Sequence, residues 1–258
     1  MPILSHLHSH RSIRQYQDKA IPPNVLNDIL EAGIRASSSG NMQSFSIIVT
    51  QDEKTKQAMF EPHMKQNMVV DAPAMITFCA DFRRMKKWLS LSDAPQNFDN
   101  FMSFMIASID AALVSQNVAT AAEAKGLGLC YMGSTLANCD KIGEILNLPE
   151  GVVPVVGYSL GYAAEEPQTR DRLPLSGLVH YDTYHDHSDD EIRSIYHQRE
   201  TDGWERYMSY PDLKTKIEES DVKNLAQLYT TLKYTHESHV QFSNTVLAYL
   251  QKQGFMNQ

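Results

Sequence analysis

Cysteine is scarce in this 258-residue sequence, which has only Cys79, Cys130 and Cys139 and no Cys-x-x-Cys pair. An odd number without that spacing is not typical of a disulfide framework or of a structural zinc site. Cys79 and Cys130 also lie within apolar stretches, where cysteine behaves as a small core residue. We therefore expect three buried, reduced thiols.

Positive charge is also in short supply, with 23 lysines and arginines against 31 aspartates and glutamates and a formal net charge of -8. Nucleic-acid binding needs a surplus of Lys and Arg on one face, so we exclude nucleic acid as the main partner. Residues 1–14 lack the apolar segment of a signal peptide, and no apolar run approaches the ~20 residues of a membrane span. We expect a cytoplasmic protein without a membrane partner.

Several common ligand and catalytic motifs are missing. Gly126-Leu127-Gly128 lacks the third glycine of a dinucleotide fingerprint, and the sequence has no Gly-Lys-Ser/Thr phosphate loop and no Gly-x-Ser-x-Gly nucleophile turn. Histidines alternate within residues 6–10 and again within 185–187. Either group could touch a metal, but a solvated polar loop is the favoured interpretation, and we predict no metal site.

Apolar periodicity predicts an alternation of helices and strands. After Pro22 and Pro23, apolar residues spaced three and four apart predict a helix that ends near Ala36. Further helices are expected over 54–60, 102–125 and 140–146, and strands over 45–50, 74–79, 126–132 and 152–160. The polar stretch 81–100 is expected to be an irregular excursion or lid. This order predicts an α/β or α+β architecture.

The character of the chain changes after Tyr184. Residues 185–258 are charged, and their helical stretches carry few apolar anchors, so this segment cannot form a core alone. We predict a core of residues 1–184 and a C-terminal extension of residues 185–258 that contacts a second protomer.

The strongest local feature is His10-Arg11-Ser12-Ile13-Arg14, just before the first amphipathic helix. Alternate side chains of an extended segment share a face, so Ser12 and Arg14 could serve one ligand together. Arginine suits phosphate because its planar guanidinium donates two parallel hydrogen bonds. A second pair, Arg170 and Arg172, follows the last strand. Each segment alone is an ordinary basic loop, but two of them at the ends of an acidic domain suggest a shared phosphate.

Taken together and in this order, four blocks resemble the nitroreductase/NAD(P)H:flavin oxidoreductase family. The resemblance is to the branch with a long C-terminal extension, which includes the oxygen-insensitive NADPH nitroreductases. The matching blocks are residues 10–14, 35–43 with its serines, 126–133 and 170–174. The resemblance spans roughly residues 9–180, and it implies a homodimeric α+β fold, a sheet packed between helices, with FMN at the dimer interface.

Carried over by position, the resemblance assigns a flavin site. His10, Arg11 and Ser12 would contact the phosphate and ribityl chain. Arg170 and Arg172 would complete the phosphate clamp, and Arg14 would lie at the N1/O2 edge of the flavin ring. The remaining flavin contacts would be Ser38, Gln66, Tyr131, Met132, Gly133 and Ser134.

The implied activity is a ping-pong reduction, in which NADPH or NADH passes a hydride to flavin N5 and leaves before an electron acceptor binds. The acceptors of the family are small planar molecules such as nitroaromatics, quinones and free flavins. Hydride at N5 places negative charge at N1/O2, which the guanidinium of Arg14 would stabilise. Since the flavin does the chemistry, we predict no catalytic side chain. Two alternatives stay open: a dedicated NAD(P)H:flavin reductase, and a non-catalytic flavin-binding module whose ring is covered by residues 81–100.

The nicotinamide preference is not settled by the resemblance. NADPH-preferring relatives carry Tyr-Tyr-x-x-Arg followed by several more arginines, whereas here only Arg206 follows Arg199 nearby. A 2'-phosphate needs concentrated positive charge, so NADH becomes plausible beside NADPH. Arg199 and Arg206 are the candidate contacts for the nicotinamide dinucleotide.

Overall fold

The computed structural model describes residues 3–257, which divide into two compact units. The first unit comprises the chain up to residue 168 together with residues from 242 onward, and the second comprises residues 169–241. The structural division therefore falls earlier than Tyr184, and the C-terminal residues belong to the first unit. They do so because Tyr249, Leu250 and Phe255 pack with Phe104 in one buried cluster. A functional division between a core and a dimer arm stays a prediction.

The first unit contains helices and strands in mixed order. Its helices are α1 (Ile3–His8), α2 (Pro23–Gly33), α3 (Glu53–Met59), α4 (Met68–Asp71), α5 (Arg83–Leu91), α6 (Phe101–Ala124), α7 (Ser134–Ala137) and α8 (Cys139–Ile145). Its strands are β1 (Phe45–Thr50), β2 (Ala74–Asp81), β3 (Gly128–Tyr131) and β4 (Val152–Gly161). The second unit holds α9 (Asp189–Met208), α10 (Pro211–Glu218), α11 (Leu225–Leu228) and a π-helical turn (Tyr229–Lys233). Helix α12 (His236–Lys252) begins in the second unit and ends in the first.

The strands form one antiparallel sheet in the order β1-β2-β4-β3. Strand β2 lies in the interior of the sheet, and every one of its residues is buried. All four strands were predicted from their apolar runs, and each lies within three residues of its predicted bounds. Because the pairing is antiparallel, the α+β prediction is confirmed and the α/β alternative is excluded.

Helix α6 forms the core on one face of this sheet. Its buried residues, which include Ala111, Val114 and Val118, pack in one cluster with Phe78 and Tyr158 of the central strands. The prediction of a long helix here is confirmed, but burial is confined to part of its circumference. By length and composition α6 could also span a membrane, which corrects the expectation that no segment could. Its packing against β-strands is that of a core helix.

The expected excursion over residues 81–100 is partly wrong, because residues 83–91 form helix α5. This short helix carries two basic pairs, residues 83–84 and 86–87. They obscure the helical spacing of three between the apolar residues Met85 and Trp88. Met85 packs beside Phe98 against the cluster that contains Phe82, and the rings of Phe82 and Phe98 stack at 4.6 Å. The remaining residues, 92–100, are irregular as predicted.

The buried thiols were predicted correctly. Cys79, Cys130 and Cys139 are all free and buried. Burial raises the pKa of Cys139 to about 12, with the carboxylate of Asp140 contributing in the same direction. A protonated thiol of this kind is a packing residue and a poor nucleophile.

Candidate functional site

The segment His10–Arg14 lies beside β3. Ser12 forms a parallel bridge with Leu129, and the backbone N–H of Ile13 donates to the carbonyl of Leu129 at 2.9 Å. The side chain of Ile13 is buried while Arg14 is exposed, as the predicted alternation requires. This close approach needs a glycine at Gly128, since a Cβ there would lie 2.5 Å from Cγ1 of Ile13.

Two side chains of this segment, those of His10 and Arg11, have carboxylate partners. Nδ1 of His10 lies 2.6 Å from Oε1 of Glu123, which is near the C-terminal end of α6. Nη1 of Arg11 donates to Oε1 of Glu166 and to the carbonyl of Pro167, both at 3.2 Å. The Glu166 side chain is 87% exposed, and an ion pair in such surroundings contributes only ~0–1 kcal/mol. An incoming anion can therefore displace Glu166 from Arg11 at little cost.

A third carboxylate shapes the backbone of the segment. Oε1 of Glu165 accepts hydrogen bonds from the backbone N–H groups of Arg14 and Gln15, at 2.5 and 3.0 Å. Arg14 itself is exposed beside these hydrogen bonds. A cavity of about 450 Å³ opens next to the segment, and its wall includes His10, Arg11, Glu123, Glu165 and Glu166.

The serine-rich loop is anchored by a buried carboxylate on α6. Asp110 has no exposed surface, and its oxygens accept hydrogen bonds from the hydroxyl of Ser38 at 2.7 Å and the backbone N–H of Ser39 at 2.9 Å. The backbone N–H and the hydroxyl of Ser44 also donate to it, at 3.3 and 2.9 Å. The Ser38 hydroxyl in turn accepts from the backbone of Gln43. Ser38 thus fixes the loop, and a flavin contact from its side chain would share an oxygen already in use.

Two loops that carry predicted flavin contacts hold four of the seven described non-glycine residues with positive φ. Asn41 and Gln43 have φ of 54° and 53°, and Met64 and Lys65 have φ of 58° and 56°. Non-glycine residues in this left-handed region cost of the order of 1 kcal/mol each and cluster at functional sites. The first pair follows Ser38 and the second precedes Gln66.

The end of β3 presents a half-open surface. The Tyr131 hydroxyl donates to Oγ of Ser115 on α6 at 3.2 Å, and its ring packs edge-on against Tyr158. The side chain of Met132 is buried, its N–H donates to the carbonyl of Gly157, and its carbonyl accepts from the N–H of Thr135, so a ligand would have to share these backbone groups. A Cβ added to Gly133 would meet nothing within 4 Å, so open space lies beside this residue.

Ser134 and Gln66 are linked through a buried histidine. Nδ1 of His63 lies 2.8 Å from the Ser134 hydroxyl, and Nε2 of Gln66 donates to the His63 carbonyl at 2.9 Å. Burial lowers the pKa of His63 to about 4, so the ring is neutral near pH 7. The structure therefore connects two predicted flavin contacts that are distant in sequence.

Two residues that organise the site were missed by the sequence analysis. Asp110 had a signal, because Asp110 and Glu123 are the only acids of the apolar helix α6, and each holds a predicted site segment. Nothing in the sequence indicated His63, since its role depends on a contact with the hydroxyl of Ser134, which lies 71 residues away.

The predicted cations of the second unit surround Asp171. Its side chain is 9% exposed, and its oxygens accept from Nη1 of Arg199 at 2.9 and 3.1 Å, while Arg206 lies 3.8 Å away. Hydrogen bonding to Asp171 raises the pKa of Arg199, and Nη2 of Arg199 also donates to the Tyr229 hydroxyl. Nη1 of Arg172 donates to the carbonyls of its own loop, at Arg170 and Asp171. The two candidate nicotinamide contacts thus share one carboxylate.

Comparison with known proteins gives consistent matches over most of the chain. A family model described as the nitroreductase family matches residues 7–162. An FMN reductase [NAD(P)H] of Bacillus subtilis (strain 168) is 32% identical over 98% of this chain and 97% of its own length. A crystal structure of a Bacteroides fragilis NCTC 9343 protein superposes with a TM-score of 0.89 at 40% identity, covering 98% of this chain and 100% of that one. The NfrA1 nitroreductase of B. subtilis superposes with a TM-score of 0.85 at 25% identity, covering 99% and 100%.

Proposed function

Because this chain belongs to the nitroreductase family, we propose that it is an FMN-dependent NAD(P)H oxidoreductase that reduces small planar acceptors. The observation that carries the proposal is the placement of Ser12 and Arg14 along β3. The parallel bridge between Ser12 and Leu129 places the backbone of Arg14 alongside the end of β3, where Tyr131 and the open space at Gly133 lie. A guanidinium, a hydroxyl and an uncovered strand end suit a flat, anionic cofactor.

The donor set fits FMN. Arg11 is held by an exposed glutamate and by the backbone carbonyls of Ser9 and Pro167, so its one carboxylate partner can be exchanged for a phosphate. We propose that His10, Ser12, Arg170 and Arg172 complete the phosphate and ribityl contacts. The flavin contacts Ser38, Gln66, Tyr131, Met132, Gly133 and Ser134 are part of the same proposal.

When bound, FMN would supply the two-electron chemistry between a reduced nicotinamide and the acceptor. The role of this chain is to orient the ring and stabilise charge. Glu165 fixes the backbone of Arg14, and the guanidinium of this exposed residue would stabilise negative charge at the N1/O2 edge. No side chain needs to move a proton in this scheme.

We propose that Arg199 and Arg206 of the second unit contact either nicotinamide dinucleotide. Arg199 and Arg206 share the carboxylate of Asp171, so together they supply a surplus of one positive charge. A 2'-phosphate is held best by several uncompensated cations, so this arrangement supports use of NADH as well as NADPH.

Anaerobic mixing of the purified, FMN-loaded protein with NADH and with NADPH tests the function. We expect the yellow flavin absorbance to bleach with both nucleotides and to return when a quinone or nitrofuran is added. A protein that binds FMN but stays unbleached is a flavin-binding module, and a protein that refuses FMN contradicts the cofactor assignment.

A dedicated flavin reductase is the second candidate, favoured by the 32% identity to a full-length relative named FMN reductase [NAD(P)H]. Turnover of free FMN compared with nitrofurans and quinones distinguishes the two. A rate with free FMN far above the others supports the dedicated reductase, and comparable rates support the broader activity.

Replacing Arg14 with alanine should slow flavin reduction about tenfold, equivalent to about 1.4 kcal/mol, while leaving FMN bound. Replacing Arg172 should instead weaken FMN retention, because that residue is proposed to contact the phosphate. Stopped-flow reduction and FMN titration of both variants separate these effects, and Arg83→Ala on α5 is the matched control. If the flavin of Arg14→Ala is reduced at the wild-type rate, the proposed electrostatic role of Arg14 is contradicted.

We propose that the protein is a homodimer formed across α6. Phe101, Met105, Ile109 and Leu113 are spaced four residues apart and are between 39% and 52% exposed. Such a ridge packs into the groove of another helix, and an apolar ridge left in water is typical of an interface. A second copy of the chain is the occupant that the family resemblance implies.

Replacing Ile109 with glutamate should raise the dimer dissociation constant about a hundredfold, or about 2.7 kcal/mol. Each dimer would bury two unpaired carboxylates at the interface. Sedimentation equilibrium measures the shift, and Gln57→Glu on α3 adds the same charge at an exposed helix position elsewhere. Equal association of the two variants would place the interface on another surface.

A further inference from the structure

Three side chains around the start of α9 converge on one point. The histidines His185 and His187 lie in the loop before the helix, and Glu191 lies in its first turn. One potential ligand atom from each residue lies within 4.8 Å of the other two. We propose that these residues bind a divalent transition-metal ion, with Zn²⁺ as the best fit. The sequence alone favoured a solvated polar loop here.

The spacing of the donors suits a tetrahedral ion. Nε2 of His185 lies 3.1 and 3.3 Å from the two oxygens of Glu191. With ligand bonds of ~2.0–2.1 Å, neighbouring donors around a tetrahedral Zn²⁺ lie about 3.3 Å apart. The ion can therefore replace the hydrogen bond between His185 and Glu191 with small side-chain movements, and His187 provides the third bond.

His187 supplies the independent observation. Both of its ring nitrogens are buried from solvent, and neither has a hydrogen-bond partner among residues 3–257. A buried ring nitrogen without a partner costs of the order of 1–3 kcal/mol. The ring of His187 lies edge-on to that of His185, with centroids 4.9 Å apart. A metal bond to His187 would satisfy one of these nitrogens.

Neighbouring groups position the ligands. The backbone N–H of His185 donates to Nδ1 of His180 at 3.1 Å, which fixes the loop on which His185 and His187 lie. Oε2 of Glu191 accepts from the backbone N–H and the hydroxyl of Ser188, both at 2.8 Å, and this capping box orients the carboxylate. Partners of this kind typically contribute 10–100-fold to metal affinity.

The ligand set indicates both the metal class and its role. Two neutral imidazoles and one carboxylate are the donors that Zn²⁺ accepts, and three protein ligands leave one position for water. The bound ion would join residues 185–187 to the first turn of α9. The proposed oxidoreductase activity does not require this metal.

Zinc titration of the full-length, tag-free, FMN-loaded protein tests the proposal after removal of metals with EDTA. Isothermal titration calorimetry should show one saturable site per chain, and zinc X-ray absorption should show imidazole scattering from two ligands. His187→Ala should weaken binding at least tenfold, and so should Glu191→Gln, which keeps the helix cap while removing the anionic ligand. His197→Ala, an exposed histidine of α9, is the matched control and should bind as the wild type does.

Two outcomes overturn the site. The first is the absence of a saturable zinc site in the wild-type protein. The second is equal affinity in His187→Ala and His197→Ala, which would locate the zinc elsewhere, for example at the histidines of residues 6–10. Circular dichroism of each variant verifies that the helices are intact.

Discussion

Replacing Asp110 with alanine should lower the free energy of unfolding by about 3–5 kcal/mol, because a buried acceptor of several hydrogen bonds is removed. The substitution leaves the Ser38 hydroxyl, the Ser39 N–H and both donors of Ser44 without their acceptor. These groups lie where the serine loop enters β1, so the loop and the first strand should loosen together. If Ser38 contacts the flavin, the affinity for FMN should fall together with the stability of this loop.

Urea unfolding with linear extrapolation measures the effect. Asp110→Asn keeps one acceptor oxygen and should fall between the wild type and Asp110→Ala, which preserves the test if the alanine variant does not fold. Asp28→Ala is the matched control, because Asp28 is half exposed and pairs with Lys125 at 2.6 Å on the surface. Its loss should cost at most about 1 kcal/mol. Similar costs for Asp110→Ala and Asp28→Ala would show that Asp110 does not anchor the loop.

Local pattern predicted the secondary structure well where the signal was continuous along the chain. The β-branched run 45–50 coincides with β1, and the apolar stretch 102–125 differs from α6 by one residue at each end. Helix α5 escaped prediction because its two basic pairs dominate a short segment whose four large apolar residues are Met85, Trp88, Leu89 and Leu91. Periodicity needs more than two turns to stand out from charge of this density.

Long-range partners account for the rest of what could not be predicted. Sequence blocks identified the His10–Arg14 segment and the serine loop, but the acids that hold them, Glu123 and Asp110, lie over 70 residues away. The position of the unit boundary depended similarly on Tyr249 and its neighbours packing far back in the chain. Such contacts are set by the tertiary fold, and a short stretch of sequence carries no information about them.

Lowering the pH from 7 to 4 should destabilise the protein by about 3 kcal/mol through His63 alone. The pKa of His63 is lowered from 6.5 to about 4, because burial disfavours the charged ring. Between these two values the unfolded chain binds a proton that the folded chain does not. The contribution of the neutral His63 ring to the free energy of unfolding is therefore complete above pH 6.5. It is lost as the pH falls toward 4, and the free energy of unfolding decreases by about 1.4 kcal/mol per pH unit.

A comparison with His63→Gln isolates this contribution, since glutamine can still bond Ser134 but does not titrate. Urea unfolding at several pH values between 7 and 4 should give a steeper loss for the wild type than for His63→Gln. Ser134→Ala removes the hydroxyl but keeps the buried ring, so it should retain the wild-type slope. Parallel slopes for wild type and His63→Gln would show that the ring is hydrated when folded. Because His63 links Ser134 to Gln66, FMN release, followed by flavin fluorescence, should occur over the same pH range if those residues hold the ring.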